Sequence, residues 1–149
     1  MAIVIAINRS VKKGTIKQPI PEGRFLVDFG LEGDAHAGNW HRQVSLLGLE
    51  SIRKMEQIGI KGLCSGKFAE NITTEGINLY ELPVGTRLSI GPCLMEVTQI
   101  GKECHKHCAI YHQVGSCVMP TEGIFTRVLE GGIIRPGDSI TVLETEQPV

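Results

Sequence analysis

The chain has 149 residues, with 15 Lys and Arg against 16 Asp and Glu, and only 5% aromatic residues. That is one domain of ordinary size, long enough to bury a core without disulfide staples. Balanced charge and sparse aromatics argue against nucleic acid as a partner, and no apolar run is long enough to span a bilayer, which argues against a membrane.

The first element is the apolar run Ala2 to Ile7, which lacks a basic leader and reads as a buried strand rather than a signal peptide. Asn8 to Gly23 is polar, with Gly14, Pro19 and Pro21, and reads as a hairpin or loop. Arg24 to Asp28 is strand-like. Gly30 to Gly38 is too rich in glycine for a regular element and lets backbone approach something closely. Val44 to Ile58 predicts a helix, with Ser45 as N-cap, Leu46, Leu49, Ile52 and Met55 at helical spacing, and Gly59 as the stop. Phe68 to Thr73 is a short strand or turn, and Thr74 to Pro83 a loop. Val84 to Ser89 and Cys93 to Gln99 read as strands around the turn Ile90-Gly91-Pro92. A second short helix is expected near Glu122 to Glu130, closed by Gly131-Gly132. Arg135 to Asp138 is a turn, Ser139 to Leu143 a last strand, and 144–149 a frayed tail. Many short strands with Gly/Pro turns predict a mainly β fold, a β-barrel with a few short helices, forming one domain over 1–149 with its core in 2–143.

Chemistry concentrates in Gly101-Lys102-Glu103-Cys104-His105-Lys106-His107-Cys108. A thiolate is the reactive form of cysteine, and nearby cations favour it; Lys102, Lys106 and a protonated His105 or His107 are such cations. Three readings stand beside one another: a reactive thiol at Cys104, with Cys108 as a second or resolving thiol; thiolate and imidazole ligands to a metal, with Cys104, His107 and Cys108 as the set and zinc as the obvious ion; and buried structural cysteines. Burying the last pattern would also bury charge. The five cysteines follow no disulfide framework, and with no secretion signal they read as reduced cytoplasmic thiols. Cys64 and Cys93 stand in apolar or glycine-rich surroundings and read as inert.

The second constellation runs from Gly33 to Gln43. Asp34, His36, His41 and Arg42 lie beside flexible glycines, which suits an anionic or heteroaromatic ligand, with Arg42 for phosphate or carboxylate. The alternative is a polar surface loop with Asp34 in an Asx-turn. Glu70-Asn71, in an apolar context, must be hydrogen-bonded if buried and reads on its own as a turn-locking network. Arg87, Arg127 and Arg135 read as solvated surface charges.

Five blocks in order resemble the MOSC domain, the module named after the C-terminal part of molybdenum cofactor sulfurase. They are Gly30 to Leu47 (GLEGDAHAGNWHRQVSLL), Phe68 to Gly76 (FAENITTEG), Leu82 to Ile90 (LPVGTRLSI), Leu94 to Cys104 (LMEVTQIGKEC) and Gly123 to Asp138 (GIFTRVLEGGIIRPGD). The resemblance covers 2–143. It implies a barrel-like fold with a cleft, and Cys104 as the family cysteine that handles sulfur as a persulfide or ligates molybdenum of the pterin cofactor, molybdopterin. It further implies that Asp34, His36, His41, Arg42, Glu70, Asn71 and Lys102 line the cofactor cleft. Larger members carry a pyridoxal-phosphate cysteine desulfurase domain or an N-terminal β-barrel; neither is in this chain. A cysteine desulfurase or other sulfur donor is therefore expected as a partner, with molybdenum cofactor or a molybdoenzyme as acceptor. A metal-binding or redox-sensing module without turnover, and a component of a molybdenum-dependent oxidoreductase, are the alternative functions.

Overall fold

In a computed structural model, which describes residues 2–12, 17–57, 70–101 and 122–143, seven strands close into a barrel. In ring order they are β1 (Ala2–Arg9), β11 (Ser139–Leu143), β7 (Arg87–Ile90), β8 (Cys93–Ile100), β9 (Ile124–Glu130), β5 (Val44–Gly48) and β6 (Ile72–Glu75), which returns to β1. β1 closes the ring by pairing with β11 through Ala2 and Ile3, and its other end, Ile7 to Arg9, pairs with the flanking β2 (Gln18–Ile20). A second sheet orders β10 (Gly132–Ile134), β3 (Gly23–Leu26) and β4 (Gly30–Leu31).

Every pairing in the ring is antiparallel except β5 with β6. Parallel neighbours need a crossover, and α1 (Leu49–Gln57) leaves β5 at the start of that connection. Among the described residues α1 is the one α-helix; Leu79–Glu81 forms a single 3-10 turn.

The pleat explains the core. Along β8, Cys93, Met95 and Val97 are buried while Leu94, Glu96 and Thr98 are half-buried. This period of two points alternate side chains inward, where they meet Val4, Ile7, Leu46, Ile72, Leu88, Ile90, Ile124 and Val128.

Two expected helices fold otherwise. Val44–Gly48, the start of the expected helix 44–58, is a strand with all five residues buried. Ser45 sits mid-strand, paired with Phe125, and is no N-cap. A short apolar run reads alike as buried strand and as helix; here β6 and β9 supply hydrogen bonds on both edges of β5, and the helix begins only at Leu49. The expected helix at Glu122–Glu130 is strand β9, which pairs with β8 and β5. Its Ile, Phe, Thr and Val favour the pleated surface, and Gly131-Gly132 leads into β10 rather than closing a helix. The strands expected at the N-terminus, at 93–99 and at 139–143 are present, as is the turn Arg135 to Asp138; of the expected strand 84–89 only Arg87 to Ser89 is extended, running on through Ile90, while Val84-Gly85 turns and the turn before β8 is Gly91-Pro92. The tail 144–149 lies outside the described residues.

Candidate functional site: a donor-bearing loop against strand β8

The loop between β4 and β5 is closed at its base. Gly30 has φ +112°, and a Cβ there would stand 2.5 Å from the Gln43 carbonyl oxygen. Only glycine permits both that conformation and that approach. Gln43 is buried and pins the base from both sides. Its amide nitrogen donates to Asp28 Oδ1 at 2.9 Å, and its oxygen accepts the Val128 N–H of β9 at 2.9 Å.

Inside the loop, Asp34 is the hub. Its Oδ1 accepts the Ser10 N–H at 3.1 Å and Lys17 Nζ at 2.7 Å; its Oδ2 accepts the His36 N–H at 3.1 Å. Lys17 Nζ also donates to Ser10 Oγ at 3.1 Å and lies 3.1 Å from His36 Nδ1. The Lys17 and Asp34 side chains are 0% exposed. Burial opposes the charge on Asp34, but the Lys17 hydrogen bond, the Ser10 amide, the Lys17 charge and the His36 amide outweigh it and hold the carboxyl below its ordinary range. Asp34 and His36, expected as cofactor contacts, are thus brought together in an ion-paired cluster. Its third member, Lys17, carries no sequence signal: it is one lysine in a polar stretch, and only the tertiary pairing buries it.

Farther along the loop, Trp40 Nε1–H donates to the His36 carbonyl at 2.8 Å. The Arg42 guanidinium stacks on two rings, with its carbon 5.7 Å from the Trp40 centroid and 5.5 Å from that of Phe125. Arg42 Nε–H donates to Gln99 Oε1 at 3.2 Å, and Gln99 Nε2–H donates to the Gly101 carbonyl at 2.7 Å. The terminal amino groups of Arg42 have no hydrogen bond or ion pair among the described residues. Gln99, in a segment read only as a strand, was also missed. His41 is exposed, packs edge-on to Trp40 at 5.6 Å, and its carbonyl accepts the Thr98 hydroxyl. With Asp28, Trp40, Val84, Glu96, Thr98 and Arg127, it lines an open cleft of about 560 Å³ on β8 and β9.

Glu70 and Asn71 are 0% exposed and form a knot between β1, β5 and β6. Asn71 Oδ1 accepts from the Ser45 amide at 3.0 Å and from its hydroxyl at 3.1 Å, while Asn71 Nδ2 donates to the Asn8 carbonyl at 3.3 Å. Thr73 Oγ1 donates to Glu70 Oε2 at 2.8 Å, and Asn8 Nδ2 donates to the Glu70 carbonyl at 3.2 Å. Two blocks far apart in sequence therefore converge on the end of β1: Asn8 holds Glu70-Asn71 and Ser10 holds Asp34.

Lys102, Cys104, His105, His107 and Cys108 lie outside the described residues, as do Cys64 and Cys117. The ends of the segment that carries the thiol cluster are described, and the Gly101 N–H donates to the Gly123 carbonyl at 2.6 Å. The remaining cysteine, Cys93, is buried in the core. Burial, then the nearby Asp138 charge, pushes its thiol up to about 11. Among the described residues no three His, Cys, Asp or Glu side chains gather as a metal site, and no helix is long and apolar enough to cross a membrane.

The barrel is the fold the resemblance implies; the loop that carries Asp34 and His36 is bonded to β1, and Glu70-Asn71 forms the hydrogen-bonded lock read from its apolar context. The MOSC domain model matches residues 33–141. The chain belongs to the MOSC domain family. The chain is similar to the uncharacterized protein YflK of Bacillus subtilis (strain 168), with 24% identity over 145 residues, 91% of this chain and 65% of the relative. The chain thus spans just under two thirds of that relative's length. Two solved structures share the fold. YuaD of Bacillus subtilis has a TM-score of 0.79 at 17% identity, covering 94% of each chain. YiiM of Geobacillus stearothermophilus has a TM-score of 0.73 at 22% identity, covering 97% of this chain and 76% of the other. The MOSC family is associated with molybdenum cofactor sulfurase-like function and, in general, with binding that cofactor.

Proposed function

We propose that this MOSC domain is a thiol-based sulfur carrier of molybdenum cofactor metabolism, with Cys104 as its reactive residue. The observation that carries the reading is the path Arg42–Gln99–Gly101. It ties the donor-bearing loop to a backbone position three residues before Cys104. Gly101 is the last described residue before the segment of sequence that carries Cys104.

In the carrier step, the Cys104 thiolate attacks the outer sulfur of a persulfide on a donor such as a cysteine desulfurase. An S–S bond forms at Cys104, the donor's S–S bond breaks, and the donor leaves as a thiolate. Lys102, Lys106 and His105 favour the attacking thiolate by their charge. The Cys108 thiolate would then attack the inner sulfur, forming a Cys104–Cys108 disulfide as the persulfide S–S bond breaks and the outer sulfur leaves as hydrosulfide; an external thiol reductant returns the pair to thiols.

The described residues fit the cofactor in their chemistry. Molybdopterin is anionic and carries a planar heterocycle; the outer amino groups of Arg42 suit an oxyanion, and Trp40, 38% exposed, offers an aromatic face. Arg42 and Trp40, with His41 at the cleft, are the residues that would hold it. When bound, the cofactor supplies a molybdenum centre soft enough for thiolate ligation. The test is loading by a cysteine desulfurase: a sulfur gained by the wild type and not by Cys104→Ala supports the carrier, and equal gain by both defeats it.

A further inference from the structure

The geometry at the end of β8 points to a residue that prepares the anion site. We propose that Gln99 is a positioning residue for Arg42, fixing the guanidinium so that its outer edge is presented to an oxyanion. The proposal rests on the reading of Arg42 as an anion-holding group.

An arginine side chain has many rotamers to lose when it is ordered. Here the guanidinium carbon lies over the Trp40 and Phe125 rings, 5.7 and 5.5 Å from their centroids. Ring contacts of this kind do not fix which edge of the guanidinium faces outward. The bond from Arg42 Nε–H to Gln99 Oε1 does. Gln99 is itself fixed, because its nitrogen donates to the Gly101 carbonyl at 2.7 Å. Turning the amide over would set its N–H groups against the arginine donors and its oxygen against the Gly101 oxygen. With Nε occupied, side-on pairing through Nε is unavailable to a ligand. The two terminal nitrogens remain, a fork that matches two oxygens of one phosphate, sulfate or carboxylate end-on. The shared chemistry is an oxyanion, either free or as the phosphate monoester of a planar molecule lying against Trp40.

Trp40 is the sole tryptophan of the chain and touches Arg42, so its emission reports on the site. The full chain is titrated with inorganic phosphate and with phenyl phosphate, in the wild type, Gln99→Met and Arg42→Met. In parallel, arginine-labelled nitrogen spectra follow the Arg42 Nε–H, assigned by its loss in Arg42→Met. Expected are binding by the wild type, none by Arg42→Met, and about tenfold weaker binding by Gln99→Met, from loss of one charge-assisted hydrogen bond. The Arg42 Nε–H signal should be slow to exchange in the wild type and move to the position of solvated arginines in Gln99→Met.

Undiminished binding by Gln99→Met beside none by Arg42→Met overturns the positioning role and leaves the anion reading of Arg42 standing. No response of the wild type to either anion overturns both. If Gln99→Met does not fold, the wild-type spectrum decides: an Arg42 Nε–H exchanging like a solvated arginine overturns the proposal, and a protected one supports it. Tighter binding of phenyl phosphate identifies a planar monoester as the source; equal binding identifies a free oxyanion.

Discussion

Lys17 Nζ and Asp34 Oδ1 stand 2.7 Å apart with both side chains fully removed from solvent. A buried ion pair is costly to desolvate and costly to break. Removing the cation in Lys17→Met takes from the buried carboxylate its lysine counter-charge, at a cost of about 3–5 kcal/mol. Denaturant unfolding monitored by circular dichroism checks this; a loss below about 1 kcal/mol would mean that water reaches Asp34 when Lys17 is gone.

The same pair sets an acid dependence. The folded-state pKa of Asp34 is depressed below 3.8. Its contribution is therefore fully present above that value and is lost as pH falls through the lower, folded-state value. Asp34→Asn is expected to lower stability at neutral pH and to flatten the decline of stability at acid pH. An acid limb identical to the wild type's would contradict the lowered pKa.

Asn71 is the centre of a knot that joins β5 to β1. Asn71→Ala removes the acceptor of the buried Ser45 amide and the donor to the Asn8 carbonyl. Each orphaned buried group costs about 1–3 kcal/mol, so a loss of about 3 kcal/mol is expected in urea unfolding. Asn71→Asp keeps the acceptor but sets a buried carboxylate oxygen against the Asn8 carbonyl, and is expected to cost at least as much as Asn71→Ala.

Cys93 is predicted to be silent. With its thiol pushed up to about 11 by burial and Asp138, it has almost no thiolate at neutral pH. Maleimide labelling followed by peptide mass mapping should leave Cys93 unmodified in the native protein and modify it after unfolding. Native labelling at a rate matching a free thiol would contradict its placement in the core.

Gly30 closes the loop between β4 and β5 at its base. An added Cβ meets the Gln43 carbonyl at 2.5 Å in a left-handed backbone. Gly30→Ala is expected to cost about 2 kcal/mol and to red-shift Trp40 emission as the loop base opens. Wild-type stability and emission together would show that the loop is not held at this point.

The barrel was legible where side chains alternate between glycine or proline turns, as along Cys93 to Gln99. It was illegible at Val44–Gly48 and Ile124–Glu130, where the decision lies in hydrogen-bonding partners remote in sequence. A strand flanked on both edges has no local signature that separates it from a buried helix. The candidate site divides the same way. Asp34, His36 and Arg42 stood out by residue type beside glycines. Lys17, Asn8 and Gln99 did not, because a lone lysine, a strand-end asparagine and a strand glutamine acquire their roles only through the contacts that folding creates. Glu70-Asn71 was read from its apolar context as a hydrogen-bonded lock, and its bonds to Thr73, Ser45 and Asn8 are such a lock.

Intact mass of the native chain, purified without reductant and incubated with a cysteine desulfurase and its cysteine substrate, tests the carrier reading most directly. The account predicts a reductant-sensitive gain of about 32 Da, one sulfur in a persulfide cap, that maps to Cys104 and is absent from Cys104→Ala. No gain, together with stoichiometric zinc released only on unfolding, would contradict it and make Cys104, His107 and Cys108 metal ligands instead.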